Sequence, residues 1–227
     1  MSRRLFRIHE NRSTQFRCAE EESRAEPRAT RLARELAGEG KKAKATPLDA
    51  FQLARKKWLA GERIDIGALA KELGVGRATV FRWVGSRELL LGEIIWSIQQ
   101  PFMERARAEV KGQGAAYVAG VSERLMKAVL SFAPLRRFIE SDPEYALRIL
   151  TSKSSTVQSR NVALMRTVLE EQVARGHLKP PLPVDTLAYV MVRLGEAFVY
   201  ADVISGREPA IDEATAANLV LLGGKAK

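Results

Sequence analysis

The stretch ELGVGRATVFRWVGSRE, Glu72–Glu88, places two glycines two positions apart, directly before a run of basic and aromatic residues. Two kinds of turn place glycines in this way before a helix: the phosphate-binding turn of a dinucleotide-binding fold and the turn of a helix-turn-helix. The phosphate-binding turn follows a buried strand and has the pattern G-x-G-x-x-G. Here Thr79 stands at the position of the third glycine, and the preceding Leu69, Ala70 and Leu73 have helical spacing. The pattern therefore favours the helix-turn-helix.

The residues around the two glycines have the sizes that two crossing helices require. Ala70 is small where the helices would approach closely, and Gly74 can adopt the positive φ of the turn. Val75 and Val80 would fill the space between the helices. The other side chains of the third helix then point away from the core, as on a helix that enters the major groove of DNA. The alternative is an ordinary solvated helix face.

The periodicity of the apolar residues predicts an all-α chain. The first helix begins at Pro47. Ser86 can cap a fourth helix, from Arg87 to about Gln99, after which Pro101 forces a kink or a break. Further helices are predicted at 114–132, 143–151, 155–175, 183–204 and 212–222. We see no convincing alternation of apolar and polar residues of the kind that marks a strand.

The positive charge of the chain is concentrated near the N-terminus. The formal net charge is +10, and residues 1–46 alone hold 12 Lys and Arg against seven Asp and Glu. We expect these residues to form a basic, largely disordered arm that is solvated or follows DNA phosphates. Residues 47–99 are expected to form the DNA-binding domain. Residues 100–227 have nearly balanced charge and are expected to form a helical bundle for effector binding and dimerisation.

The sequence offers little for catalysis, metal binding or membrane insertion. Cys18 is the single cysteine, and the two histidines, His9 and His177, stand far apart without the spacing of a zinc site. The longest apolar segment, Leu182–Ile204, carries four charged residues, too many for a lipid-facing helix. We therefore expect a cytoplasmic protein with no enzymatic activity, no metal, no cofactor and no membrane contact.

The segment from Ile64 to Ile95, IDIGALAKELGVGRATVFRWVGSRELLLGEII, resembles the DNA-binding domain of TetR-type transcriptional regulators. The family has a small helix, Gly-Val, a run of the type Ser-basic-Gly-Thr-Leu-Tyr-x-x-Phe, a turn, Lys and an apolar fourth helix. The resemblance covers roughly residues 47–100. Within it, Leu48–Glu88 is most similar to a subgroup that includes regulators of lactone-signal degradation. Beyond residue 100 only the helical layout is similar.

The resemblance implies roles for individual residues of the third helix and the following turn. The residues expected to reach base edges are Arg77, Ala78 and Phe81, and those expected at the phosphate backbone are Thr79, Arg82, Trp83 and Arg87. Phe81 lacks the hydroxyl of the usual Tyr, and Gly76 lacks the side chain of the usual Ser cap. Arg87 keeps the charge of the usual Lys. For Trp83 the alternative is packing between the third and first helices.

The resemblance also implies a homodimer that binds a palindromic operator in double-stranded DNA and is released by a small-molecule effector. A neutral, partly apolar effector suits the balanced charge of the C-terminal part, and lactones with acyl chains are the first candidates. Candidate residues for the effector pocket are Trp96, Gln99, Phe102, Tyr117, Met165 and Phe198. Candidate residues for the dimer interface are Leu187, Met191, Leu194 and Leu221. The alternative is a DNA-binding regulator without a small ligand, which acts constitutively or through a partner protein.

Overall fold

A computed structural model describes residues 45–225, which form eleven α-helices and no strand, so the prediction of an all-α fold is confirmed. The predicted arm, residues 1–46, lies almost entirely outside the described residues. The helices are α1 (Pro47–Leu59), α2 (Ile66–Leu73), α3 (Arg77–Val84), α4 (Arg87–Glu109), α5 (Gly114–Ser131), α6 (Ala133–Ser141), α7 (Pro143–Thr151), α8 (Val157–Ala174), α9 (Val184–Val199), α10 (Ala201–Ser205) and α11 (Ile211–Leu221).

Short polar side chains define the starts of the first helices. The N–H of Asp49 donates to the Thr46 hydroxyl (3.2 Å), and the N–H of Thr46 donates to the Asp49 carboxylate (2.8 Å), which is a reciprocal capping box. Asp65 accepts from the N–H of Ala68 (2.7 Å) at the start of α2. These bonds satisfy backbone donors that have no partner within the helix. The sequence therefore sets these boundaries locally.

Helices α2 and α3 form the predicted helix-turn-helix. Gly74 ends α2 with φ +66°, in the left-handed region that the turn requires. Val80 of α3 is fully buried against Leu69 and Ala70 of α2 and against Trp58 of α1. The three helices therefore share one apolar core and hold α3 at a fixed angle at the surface.

Helix α4 is longer than the sequence predicts. It continues through Pro101 to Glu109, so the predicted end near Gln99 is wrong. Pro101 is exposed, and the carbonyl group that it leaves without its usual partner is that of Ser97. Met103 and Ala106, beyond the proline, are buried. The free energy of burying this second half outweighs the loss of one backbone hydrogen bond.

The C-terminal helices differ from the prediction at two places. Residues 133–141 form a helix, α6, that the periodicity did not indicate, with Leu135 and Ile139 buried. The predicted helix 183–204 is divided at Tyr200 into α9 and α10. Helix α9 packs against α8 and α11, and α11 packs against α5. None of the helices between residues 45 and 225 is both long and apolar enough to span a bilayer.

Candidate DNA-binding surface and effector cavity

The outer face of α3 presents basic and aromatic side chains to solvent. Arg77, Ala78, Phe81 and Arg82 are exposed, whereas Val80 on the opposite face is fully buried. The guanidinium of Arg77 lies 5.4 Å from the centre of the Phe81 ring, within the range of a cation–π contact. The Arg77 guanidinium and the Phe81 ring therefore lie next to each other at the surface, and both are exposed in the part of the chain that the structure describes.

Three of the residues expected at the phosphate backbone are less accessible. Thr79 and Trp83 are half-buried, and Trp83 packs against the core of the first three helices, which is the alternative stated above. Arg87 is also half-buried, and its guanidinium lies over the ring of Tyr145, 4.7 Å from the centre. The Nε atom of Arg87 is buried and has no hydrogen-bond partner.

Arg87 belongs to a cluster that joins the start of α4 to α7, called here the α4–α7 junction: Arg87, Glu88, Tyr145 and Arg148. The Tyr145 hydroxyl donates to the Glu88 carboxylate (3.2 Å), and the guanidinium of Arg148 lies 5.1 Å from the centre of the Tyr145 ring. Burial raises the pKa of Tyr145 to about 12. Burial raises the pKa of Glu88, but hydrogen bonds from its own backbone, Ser86 and Tyr145 together lower it by more. The pKa of Glu88 is therefore below its usual value.

A chain of aromatic rings connects this junction to the interior of the C-terminal helices. Tyr145 contacts Phe138 (ring centres 6.1 Å apart), and Phe138 contacts Trp58 of α1 (6.0 Å). Trp58 in turn contacts Phe132 (6.5 Å), which contacts Phe102 (6.0 Å). Ring pairs at these distances attract each other beyond the effect of burial alone. Trp58 therefore connects the helix-turn-helix with the helices that follow it.

A cavity of about 110 Å³ lies between α4, α5, α8 and α9. Most of its wall is apolar, with Ile98, Phe102, Met126, Phe132 and Met191 among the lining residues. The polar lining residues are Gln99, Ser122, Asn161, Glu196 and Tyr200. A largely apolar cavity with a few polar groups has the composition of a small-molecule site.

The cavity includes half of the residues that the sequence suggested for it. Gln99, Phe102 and Met165 line it. Trp96, Tyr117 and Phe198 do not, which corrects the sequence prediction. Trp96 has its ring under the guanidinium of Arg160 (5.5 Å), the Tyr117 hydroxyl donates to the Arg107 carbonyl (3.1 Å), and Phe198 packs against the larger apolar core. Helical periodicity shows that these residues are apolar positions on a helix. It does not show whether such a position faces the cavity or another part of the apolar core.

Glu196 is the most unusual residue of the cavity wall, and the sequence analysis did not select it. Its side chain is only 12% exposed and pairs with Arg193, whose Nη1 lies 2.8 Å from Oε2. The other oxygen, Oε1, is buried without a hydrogen-bond partner. Burial raises the pKa of Glu196, and the Arg193 guanidinium opposes that shift. The available signal was a glutamate three residues after an arginine in the most apolar segment of the sequence.

A second apolar surface lies in a groove between α9 and α11, called here the α9–α11 groove: Val190, Leu194, Ala216, Ala217, Val220 and Leu221. Val220 is 57% exposed. Two of the predicted interface residues, Leu194 and Leu221, line this groove. The other two, Leu187 and Met191, are buried inside the same chain, so they are not available to a partner.

Residues 45–225 contain no group of three or more His, Cys, Asp or Glu side chains that could hold a metal ion.

The chain is similar in sequence and in fold to known proteins. Residues 113–223 match the family described as "Tetracyclin repressor-like, C-terminal domain". The solved structure of the R. erythropolis transcriptional repressor QsdR from the TetR family is 29% identical, covers 80% of this chain and 96% of that chain, and superposes with a TM-score of 0.74. The TetR-family regulator PfmR from Thermus thermophilus is 19% identical over 78% of this chain and 97% of that chain, with a TM-score of only 0.37. None of the curated proteins compared with the chain matches it.

Proposed function

We propose that this chain, whose residues 113–223 match the tetracyclin repressor-like C-terminal domain family and whose fold is that of a solved TetR-family repressor, is a repressor that leaves its operator when a small, largely apolar effector binds. The observation that supports this most is the presence, in one chain, of an exposed basic and aromatic face on α3 and a largely apolar cavity between α4, α5, α8 and α9. A DNA-binding regulator without a small ligand would not need the cavity.

On the DNA side, we propose that α3 enters the major groove. Arg77 and Phe81 read base edges with Ala78 between them, since an arginine can donate to guanine and a ring can contact a thymine methyl group. Arg82, with Thr79, contacts phosphates beside them. Trp83 and Arg87 position α3 and α4 instead of contacting DNA, because both are half-buried in contacts within the chain.

On the effector side, α4 provides the connection. It begins with Arg87 at the DNA-proximal junction, and Gln99 and Phe102 of the same helix line the cavity. Gln99 lies about 18 Å along the axis from Arg87 at 1.5 Å per residue. A ligand that displaces this part of α4 also displaces the α4–α7 junction. The ligand acts only to the extent that it binds the released state more tightly, and each ~1.4 kcal/mol of that difference weakens DNA binding about tenfold.

The operator is a palindrome because the protein acts as a homodimer, which is typical of the family. Two α3 helices then fit half-sites roughly 34–36 Å apart, or a multiple of that distance. The α9–α11 groove is the proposed interface, since an exposed apolar surface of this kind on two copies can be buried by two-fold symmetric contact. The chain acts in the cytoplasm, has no catalytic role, and its residues 1–46 add non-specific contacts to DNA phosphates.

The test begins by selecting bound sequences from a random pool of double-stranded DNA, since the operator is not known in advance. Binding of the selected duplex is then measured by fluorescence anisotropy. Arg82→Ala should weaken binding, while Arg175→Ala, which removes an exposed arginine at the end of α8, should not. Failure to select any sequence, or equal loss in both variants, would contradict the proposed DNA-binding surface.

The effector is tested on the same complex with a panel of small molecules, beginning with lactones that carry acyl chains. A true effector lowers operator affinity, and operator DNA lowers the affinity for the effector by the same factor, because the two binding free energies are linked. Calorimetry with and without the duplex measures both. A protein that binds its operator but responds to no small molecule would support the alternative, a regulator controlled by a partner protein or acting constitutively.

A further inference from the structure

The wall of the cavity has one carboxylate and no basic side chain. Glu196 is the acidic member of the lining set, and none of the twenty lining residues is Lys, Arg or His. A carboxylate ligand would therefore approach Glu196 in a medium of low dielectric constant, where repulsion between like charges is strong. The charge of the lining residues alone therefore disfavours anionic ligands, whatever their shape.

Two oxygens of the polar wall lack hydrogen-bond donors. Oε1 of Glu196 on α9 and Oε1 of Gln99 on α4 are both buried and make no hydrogen bond. An ionised carboxylate accepts hydrogen bonds and cannot donate them, so Oε1 of Glu196, which is paired with Arg193 through its other oxygen, requires a donor. An unsatisfied buried acceptor destabilises the empty state, and a ligand that donates to it recovers that free energy.

Arg193 does not supply the missing donor. Its guanidinium is 41% exposed, pairs with Oε2 of Glu196, and also donates to the Thr151 carbonyl (2.9 Å) and to the Tyr189 hydroxyl (3.2 Å). The ion pair therefore runs from a solvent-facing cation to a buried carboxylate. The terminal torsion of a glutamate is soft, so a small rotation turns Oε1 toward a ligand in the cavity.

The volume of the cavity limits the part of the ligand that it surrounds, because the cavity is partly open to solvent. A water molecule needs roughly 10–15 Å³ by the same measure, so the cavity of about 110 Å³ holds on the order of ten non-hydrogen atoms without rearrangement. The remaining lining residues are glycine and residues with aliphatic, aromatic or methionine side chains. An unbranched chain of about eight carbons with one polar end group fits that volume.

From these observations we propose that the effector is a short apolar molecule whose polar end donates a hydrogen bond to Glu196, as a protonated amine or an amide N–H does. This inference rests on the proposed function, because it names the ligand of the same cavity. It narrows the neutral, partly apolar effector expected from the sequence to molecules that carry a donor, and it allows a positive charge.

The test uses four compounds with nearly the same chain: 1-octylamine, octanamide, octanoate and methyl heptanoate. The first two donate hydrogen bonds, octanoate is an anion, and the ester only accepts. Calorimetry with the full-length protein at pH 7 should show the two donors binding at least about tenfold more tightly than octanoate and the ester, the size expected for a hydrogen bond to a charged group. A preference for the amine or for the amide identifies a charged or a neutral donor.

Glu196→Gln is the decisive variant. Its amide oxygen can still accept from Arg193, which leaves the NH₂ group toward the cavity in place of the acceptor. The preference for donors should disappear, and the ester should bind more tightly than it does to the wild type. Glu93→Gln is the matched control, because Glu93 is also a carboxylate that pairs with an arginine, Arg160 (2.7 Å), but its side chain is more exposed and does not line the cavity. Thermal unfolding of both variants checks that they fold.

The outcomes separate this inference from the proposed function. Tight binding of octanoate, donor preference that survives Glu196→Gln, or no binding by any of the four compounds overturns the inference. If a donor binds through Glu196 but the operator complex persists, the ligand assignment stands and release by the effector fails. If a compound without a hydrogen-bond donor releases the operator, the proposed release by an effector is supported. The proposal that the effector donates a hydrogen bond to Glu196 is then wrong.

Discussion

Replacement of Arg87 distinguishes two roles that the sequence and the tertiary structure assign to the same side chain. The sequence places Arg87 at a DNA phosphate, whereas the structure places its guanidinium 4.7 Å from the centre of the Tyr145 ring. Arg87→Met removes the charge but keeps most of the apolar stem, so packing is largely preserved. We expect this variant to lower the free energy of unfolding and to leave the salt dependence of DNA binding unchanged.

The magnitude follows from the environment of the pair. Cation–π contacts contribute about 0.5–1 kcal/mol at exposed sites and about 2 kcal/mol when desolvated, and this half-buried contact should lie near ~1 kcal/mol. A double-mutant cycle with Tyr145→Leu measures it as the coupling between the two substitutions. Urea unfolding at one fixed protein concentration is the assay, because dimerisation makes stability depend on concentration.

The same variants are then compared on DNA. A phosphate contact changes the slope of log K against log salt by about 0.9, and a dimer that loses two contacts changes by about 1.8. Arg82→Met, on the exposed face of α3, should show that change, whereas Arg87→Met should not. A slope change in Arg87→Met equal to that of Arg82→Met, together with a coupling energy near zero, would show that Arg87 turns to the DNA and would refute the positioning role.

Three further predictions test other parts of the structure. Gly74→Ala should cost about 1–2 kcal/mol in urea unfolding, because an alanine is strained at φ +66°, while Gly76→Ala at φ −71° should cost less. Val220→Arg in the α9–α11 groove should produce monomers in light scattering, while Ile204→Arg, at an equally exposed position (58%) outside the groove, should leave the dimer intact. The hydrogen bond from Arg136 holds the pKa of Asp202 below its usual value, so its stabilisation is present above the usual pKa of an aspartate and is lost as the pH falls through the lowered pKa. The difference in unfolding free energy between wild type and Asp202→Asn should accordingly shrink below about pH 4; a constant difference would contradict this assignment.

The features that the sequence predicted correctly depend on neighbours along the chain. Asp65 and Ser86 cap helices because each side chain reaches a backbone N–H three residues later, at 2.7 and 3.0 Å. Gly74 marks the turn because few other residues adopt its φ. Val80 and the exposed residues of α3 separate cleanly because the helical period fixes which side chains share a face. All-α class, the helix-turn-helix and the α3 face were therefore accessible without coordinates.

The failures lie where two buried surfaces compete for one helix. Pro101 indicates a break by local rules, but packing of Met103 and Ala106 carries α4 past it. Leu187 and Met191 have the same apolar spacing as Leu194, yet the first two are buried in their own chain and the third lies in the groove. Apolar spacing records that a residue avoids water and does not record which neighbour covers it.

The sequence by itself determined the all-α class, the caps of α1, α2 and α4, the turn after α2 and the residues that α3 exposes, because these depend on helical periodicity, backbone geometry and hydrogen bonds within a few residues. Only the tertiary structure decided that Arg87 stacks on Tyr145, which of the apolar helix faces encloses the cavity, and that Glu196 has one oxygen without a donor. Each of these joins residues that are tens of positions apart in the chain. Their contacts are set by how the helices pack, and helix periodicity carries no information about the distance between two helices.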